Sequence, residues 1–351
     1  MTQTLYMAFI FSLGLGTTLT FVSNHWLYAW IGVEISTFAI IPIMAQTHHP
    51  RAVEATVKYL LIQGAAAGLL LFGTVLNAVL EKNWTITEIT HPFATPIVMF
   101  ALVLKLGLAP CHYWVPEVMQ GLNIKTGLIL ATWQKLAPFA LLLQISHTLQ
   151  PWLPLSIGVL SIMAAGWAGM NQTQIRKILA YSSIAHLGWM VVIVQYAPNL
   201  AVLALVIYIF STLAAFLTME QTSSTKINNL SQVWSKSPSM LTVMILVLLS
   251  LAGLPPLTGF LPKWFVLNMM VQQQMTIIAL VISMSSLLSL YFYLRLCYFS
   301  ILTVFPTTTK IPLHWRHHFK KQNITMAVVA TSSLILLPFA PLISALMLFY
   351  P

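Results

Sequence analysis

Aspartate is missing from this chain of 351 residues, its acidic groups number six, and only 6% of its residues are charged. A soluble domain carries about 25% charged residues. With 58% of its residues hydrophobic, the chain cannot cover a water-facing surface, which excludes a soluble enzyme or binding domain. The formal net charge of +10 would suggest nucleic acid in a soluble protein. Here the basic residues lie in short loops between apolar runs, so membrane topology is expected and a nucleic-acid partner is not. The two cysteines, Cys111 and Cys297, are too few and too isolated for a disulfide framework, a zinc site or an iron–sulfur cluster. No Gly-rich dinucleotide fingerprint, P-loop or nucleophile elbow is present. Redox chemistry and a dinucleotide site are therefore not expected in this chain. His48–His49 and His317–His318 are paired, but they sit in polar loops without cysteine or carboxylate company, so no metal centre is expected. The N-terminus has no basic segment or Arg-rich presequence and runs at once into an apolar stretch, which suggests insertion where the chain is made.

What the chain has instead is apolar runs. Crossing ~30 Å of hydrocarbon takes ~20 residues of helix, and about eleven stretches meet that length. They are Leu5–Val22, His25–Ala45, Thr56–Leu80, Ala94–Val118, Thr126–Ser146, Trp152–Gly169, Ile175–Gln195, Leu200–Met219, Met240–Met270, Met275–Tyr298 and Ile324–Phe349. Loops after even-numbered stretches hold most of the basic residues: Arg51 with Lys58 nearby, Lys125, Arg176, Lys177, Lys226, Lys236, Lys310, Arg316, Lys320 and Lys321. Loops after odd-numbered stretches hold only Lys82, beside Glu81 and Glu88. That alternation places the N-terminus and the even loops on the side of synthesis, with the C-terminus opposite. Arg295 lies near the basic end of its helix and can snorkel.

The fourth stretch contains Pro110 and Pro116, and the ninth contains Gly253, Pro255, Pro256, Gly259 and Pro262. Proline removes a backbone donor and clashes with the preceding turn, so a continuous helix is not expected through Pro110 or through Pro255–Pro256 and Gly259. Unsatisfied backbone at membrane depth is tolerated only where protein or water covers it. The two breaks lie an odd number of helices apart and therefore cross in opposite directions. This predicts an inverted repeat of five helices, with residues 1–150 as one half and 151–300 as the other. Residues 301–351 supply a basic loop and a C-terminal helix, and the whole chain, 1–351, forms one membrane domain. Paired interrupted helices in such folds point to the ion path.

Four ionisable residues sit inside these apolar stretches: Glu34, Lys105, Lys135 and Lys263. A lysine or aspartate at the centre of a bilayer helix costs roughly 2.5–3.5 kcal/mol, so such charges are functional by default. Glu34 and Lys105 have similar depth and are expected to pair, sharing the cost of burial. Lys135 has no carboxylate in its own stretch, and Lys263 lies beside a break. Apolar surroundings disfavour an ammonium, so these lysines are expected to release and regain protons. His186, on a helix rich in hydroxyls, is an expected relay between them. The competing reading is static ion pairing that fixes the packing, for which the sequence offers one deep carboxylate.

These residues fall in familiar blocks. Leu106–Gly121 (LGLAPCHYWVPEVMQG), Thr132–Pro138 (TWQKLAP), Asn171–Ser183 (NQTQIRKILAYSS), Gly253–Trp264 (GLPPLTGFLPKW) and Leu290–Leu296 (LYFYLRL) resemble the second-subunit family of mitochondrial NADH–ubiquinone oxidoreductase, respiratory complex I. The match runs in order from Trp26 to about Leu296, while the last stretch and the loop before it look generic. The resemblance implies an all-α, antiporter-like subunit of the membrane arm, in the animal form that lacks three N-terminal helices of longer relatives. It implies that Glu34 pairs with Lys105 in proton pumping, that Lys135 is the central site loaded from the matrix, that Lys263 lies toward the intermembrane-space exit, and that His186 belongs to the central hydrophilic axis. FMN, the iron–sulfur clusters and the ubiquinone site are then expected in other subunits. Partners are neighbouring membrane-arm subunits, including antiporter-like ones, and lipids such as cardiolipin. The location is the mitochondrial inner membrane, with the N-terminus in the matrix and the C-terminus in the intermembrane space. A free-standing cation/proton antiporter is the alternative that the interrupted-helix pattern also suits, and a structural subunit with static pairs is the other. Cys111 stands where relatives carry Phe, and no role is attached to it.

Overall fold

A computed structural model describes residues 3–47, 49–222, 224–302, 324–335 and 337–339, and every regular element among them is helical. Apart from helices, those residues form two isolated bridges, His25 with Thr85 and Gln174 with Lys226. His48, His317, His318, Lys310, Arg316, Lys320, Lys321 and the far end of the last expected span lie outside the described residues.

The first three helices are α1 (Gln3–Val22), α2 (Trp26–Met44) and α3 (Pro50–Glu81). Histidines cap two of them: His25 accepts from the Leu27 amide and His49 from the Arg51 amide, each at 3.2 Å. Pro50 follows in the first turn, where a missing N–H costs nothing. His49 is thus explained as a helix cap. Gly16 of α1 and Gly32 of α2 face each other. A Cβ on Gly16 would lie 2.6 Å from the Gly32 carbonyl, and one on Gly32 would lie 2.8 Å from the Gly16 carbonyl. Small residues that let backbones approach hold membrane helices together where no hydrophobic drive exists between them. That contact fixes α2, which carries Glu34.

Next come α4 (Ala94–Leu106), α5 (Trp114–Gly121), α6 (Ile124–Thr132) and α7 (Leu136–Gln144). Between α6 and α7 the chain tightens into a 3₁₀ turn, Trp133–Lys135. Pro138 accounts for it, because it has no N–H to offer the carbonyl four residues back, at Gln134. This irregularity at Lys135 was not expected from the sequence. Helices α8 (Trp152–Met170), α9 (Ile175–Ile193) and α10 (Pro198–Thr222) follow, then α11 (Ile227–Lys236), α12 (Pro238–Ala252), α13 (Phe260–Gln272), α14 (Thr276–Leu302) and α15 (Ile324–Ile335). The expected loop between Met219 and Met240 therefore contains the short helix α11. Its Ile227, Leu230 and Val233 are buried at a spacing of one helical face.

Among the described residues, seven helices are long and apolar enough to cross a membrane: α1, α2, α3, the combined stretch Ile124–Gln144, α8, α10 and α14. The other stretches marked in the sequence differ for visible reasons. Two are divided between shorter helices, α4 with α5 and α12 with α13. Helix α9 has the length but carries Arg176, Lys177, His186 and two serines. The last is described only as far as Ile335. Helix α14 has an inverted distribution of polarity. Its exposed face carries Ile277, Leu280, Met284, Leu287 and Tyr291, whereas Ser285, Ser289 and Tyr293 are buried. Apolar side chains outward and hydroxyls inward fit a hydrocarbon surrounding, and contiguous exposed apolar faces of this kind need a cover.

The chain divides into two compact units, Met1–Ser161 with Val191–Pro198, and Ile162–Met190 with Asn199–Pro351. Each contains its own polar site.

Candidate proton sites

In the first unit, α4 ends at Gly107, whose φ of +75° turns the chain out of the helix. Its last carbonyls lose their helical donors at that point. Two side chains replace them. The Trp114 indole donates to the Leu104 carbonyl at 3.2 Å, and the Gln63 amide of α3 donates to the Lys105 carbonyl at 3.4 Å. The segment between α4 and α5 contains Pro110, joined to Ala109 by a cis peptide bond.

Lys105 occupies the last turn of α4 and its Nζ lies 3.2 Å from Oε1 of Glu34 on α2. The lysine side chain is 1% exposed and the glutamate 15%, so this is a pair held almost wholly away from solvent, as expected. Thr37 and Ser36 return their hydroxyl protons to Glu34 and Val33 carbonyls, at 2.9 and 2.7 Å. Their oxygens remain able to accept.

Lys135 is buried in the 3₁₀ turn. The preceding residue, Gln134, reaches across to α2 and donates to the Ser36 carbonyl at 2.9 Å. This bond ties the backbone that carries Lys135 to the helix that carries Glu34. A cavity of about 20 Å³ is lined by Lys105, Lys135, Gln63, Gln134, Ser36, Thr37 and Tyr59, with apolar residues closing it. A water needs roughly 10–15 Å³ and two to four polar partners, so one water fits between the two lysines.

In the second unit, α12 ends at Gly253, φ +82°, and α13 begins after Gly259, with Pro255 and Pro256 between them. Lys263, in the first turn of α13, folds back so that its Nζ donates to the Ala252 carbonyl at 2.8 Å. A cation thereby occupies the negative end of α12, where helix carbonyls are unsatisfied and the macrodipole favours it. His186 on α9 lies against the Tyr208 ring of α10, with centroids 5.6 Å apart. Two small cavities touch both His186 and Lys263. One, about 20 Å³, also meets Tyr208, Ser211 and Ser250. The other, about 10 Å³, meets Ser182, Ser289 and Tyr293.

Glu34, Lys105 and Lys135 are therefore brought together in one unit, and His186 and Lys263 in the other. Reading the sequence missed the polar groups that serve them: Gln63, Gln134, Trp114 and Tyr293. Gln63 and Gln134 carried a usable signal, since uncharged amides inside apolar stretches must find partners there too. Arg295 donates to the Met170 carbonyl at 2.5 Å, a local use of its charge. Among the described residues, no group of three or more His, Cys, Asp or Glu is arranged to hold a metal ion.

Comparison with known proteins agrees with this architecture. The NADH:quinone oxidoreductase/Mrp antiporter transmembrane family matches residues 23–289, and the NADH dehydrogenase subunit 2 C-terminus family matches residues 290–344. NADH-ubiquinone oxidoreductase chain 2 of Carassius auratus is 54% identical over 97% of this chain and 98% of its own length. The protein of that name from Scyliorhinus canicula is 50% identical over 99% of this chain and 100% of its own. A chain of respiratory complex I from Thermus thermophilus has the same fold, with a TM-score of 0.85 at 24% identity, covering 98% of this chain and 79% of that one. A chain of the Mrp complex from Dietzia sp. superposes with a TM-score of 0.81 at 16% identity, covering 95% and 75%. Full-length similarity to the first two, on the fold shared by the others, makes this chain a member of the NADH-ubiquinone oxidoreductase chain 2 family.

Proposed function

We propose that the chain is a proton-translocating, non-redox core subunit of respiratory complex I, moving protons from matrix to intermembrane space. The observation that carries this is the cavity in which Lys105, already paired with Glu34, and Lys135 line the same water-sized space. When the Glu34–Lys105 pair loosens, the field at Lys135 changes. Two unit charges 4 Å apart interact by about 4 kcal/mol at an effective dielectric of 20. A change of ~1.4 kcal/mol is tenfold in occupancy, so a modest rearrangement of the pair suffices to load or unload Lys135. His186 and Lys263 then carry the proton on, with Lys263 toward the exit.

This reading takes the α4–α5 and α12–α13 interruptions as two broken membrane helices among eleven crossings. They belong to corresponding positions of inverted five-helix halves, 1–150 and 151–300, with 301–351 as the matrix loop and last helix. The inner mitochondrial membrane is the location, the N-terminus faces the matrix and the C-terminus the intermembrane space. NADH oxidation, FMN, the iron–sulfur clusters and ubiquinone reduction belong to other subunits of the assembly, and this chain contributes no catalytic site for NADH. Its partners are neighbouring membrane-arm subunits, antiporter-like ones among them, and lipids such as cardiolipin on its apolar faces.

Replacing Lys135 by Met in the assembled complex tests the reading. Protons moved per electron should fall, while NADH oxidation by an artificial acceptor stays at the unaltered rate. Undiminished pumping per electron with Lys105, Lys135 and Lys263 each neutralised would leave a structural subunit as the better description. Cation exchange by the isolated chain in liposomes would instead favour a free-standing antiporter.

A further inference from the structure

We propose that Tyr293 of α14 holds an ordered water against Lys263 and His186, and that this water, not the larger cavity beside it, joins the two residues. The proposal rests on the proton-translocating reading above and adds to it a positioning residue and a route.

Tyr293 is 1% exposed, and among the described residues its hydroxyl is a buried polar atom that completes no well-formed hydrogen bond, although Ser182 lies close enough to interact with it. An orphaned group of that kind costs roughly 1–3 kcal/mol unless something satisfies it. Its ring is held by the neighbouring Phe292 ring, with centroids 4.5 Å apart, and the residue lines the cavity of about 10 Å³ shared by Ser182, Ser289, His186 and Lys263. That volume is at the lower bound for one water.

The surrounding groups supply what the water needs. Ser182 gives its own proton to the Leu179 carbonyl and Ser289 gives its proton to the Ser286 carbonyl, both at 2.7 Å. Each hydroxyl oxygen is left as an acceptor facing a space where Tyr293 has a proton to donate. In the larger cavity, Ser211 and Ser250 donate to the Tyr208 and Val247 carbonyls, at 3.0 and 2.7 Å, so neither serine there has a proton to spare for a water. Of these two cavities, the one at Tyr293 combines serine acceptors with a donor that completes no well-formed hydrogen bond, which is what holds a water in one orientation. The transfer balances. A proton leaves the His186 imidazolium for the water as one of the water's own protons passes to the Lys263 amine, and the water is left unchanged. The donated Tyr293 O–H keeps one lone pair of the water occupied and the other available to the imidazolium.

Two measurements decide it. A map of the assembled, unaltered complex fine enough to show waters should place one within about 3.2 Å of Tyr293 Oη and of Lys263 Nζ. A dry site there, with waters resolved elsewhere along the lysines, overturns the proposal, including the case in which the variant below does not assemble. Tyr293→Phe keeps the ring and removes the hydroxyl. It should lower the steady pumping rate about fivefold to tenfold, the consequence of one lost hydrogen bond of ordinary strength. Assembly on native gels and NADH oxidation by an artificial acceptor should not change. Lys263→Met is measured beside it. If Lys263→Met stops pumping and Tyr293→Phe does not slow it, the water route is wrong and the translocating role stands. If neither variant alters pumping, the translocating role itself falls.

Discussion

Glu34→Gln should lower the amount of assembled complex and abolish its pumping, and adding Lys105→Met should restore the first without the second. The reasoning starts from burial. Lys105 is 1% exposed at the side chain and its carboxylate partner is 3.2 Å away. Removing one member of a buried pair costs roughly 3–5 kcal/mol, because a charge is left without compensation, whereas replacing both by apolar groups of similar size is often neutral. The Gln63 and Trp114 bonds to the Lys105 and Leu104 carbonyls do not involve the ammonium, so the end of α4 survives in the double variant. Native-gel yield and thermal unfolding report the first effect, and proton-to-electron ratio reports the second. A double variant no better assembled than Glu34→Gln would mean that the pair is not energetically coupled. A double variant that pumps normally would confine the pair to packing.

The apolar runs and the four charges inside them were legible in the sequence, because length, hydropathy and alternating loop charge each constrain the runs independently; the capping roles of His25 and His49 were not read. Pairing of Glu34 with Lys105 was legible for a simpler reason: no other carboxylate lies at that depth. The 3₁₀ turn at Lys135 was not read, although Pro138 announces it, since a proline near a span's middle also fits a gentle kink. Helix α11 was hidden by its polar composition, and only the spacing of Ile227, Leu230 and Val233 gave it away. What Lys263 does with its ammonium could not be read at all. Its bond to the Ala252 carbonyl exists because the α12–α13 interruption brings the start of α13 close to the end of α12, a fact with no local signature.

That close approach makes Gly259 the least replaceable residue of the second site. Its φ of −64° suits any amino acid, yet an added Cβ would fall 1.7 Å from the Ser250 carbonyl oxygen. The obstacle is backbone of the last turn of α12, which is itself fixed by two bonds from the Gly253 amide, to Leu249 at 3.2 Å and Ser250 at 3.0 Å. Ordinary overpacking costs about 1–3 kcal/mol when side chains yield; here only helix ends can yield, so Gly259→Ala should leave almost no assembled complex. Gly253→Ala differs in kind. Its φ of +82° strains an alanine by roughly 1–2 kcal/mol, and the new Cβ meets the flexible end of Lys263, 3.0 Å away, instead of backbone. That variant should assemble, displace the ammonium from the Ala252 carbonyl, and pump more slowly. Native-gel yield against proton-to-electron ratio separates the two. Normal assembly of Gly259→Ala would show that α12 and α13 are not locked at this crossing, and unimpaired pumping in Gly253→Ala would show that Lys263 needs no fixed seat at the end of α12.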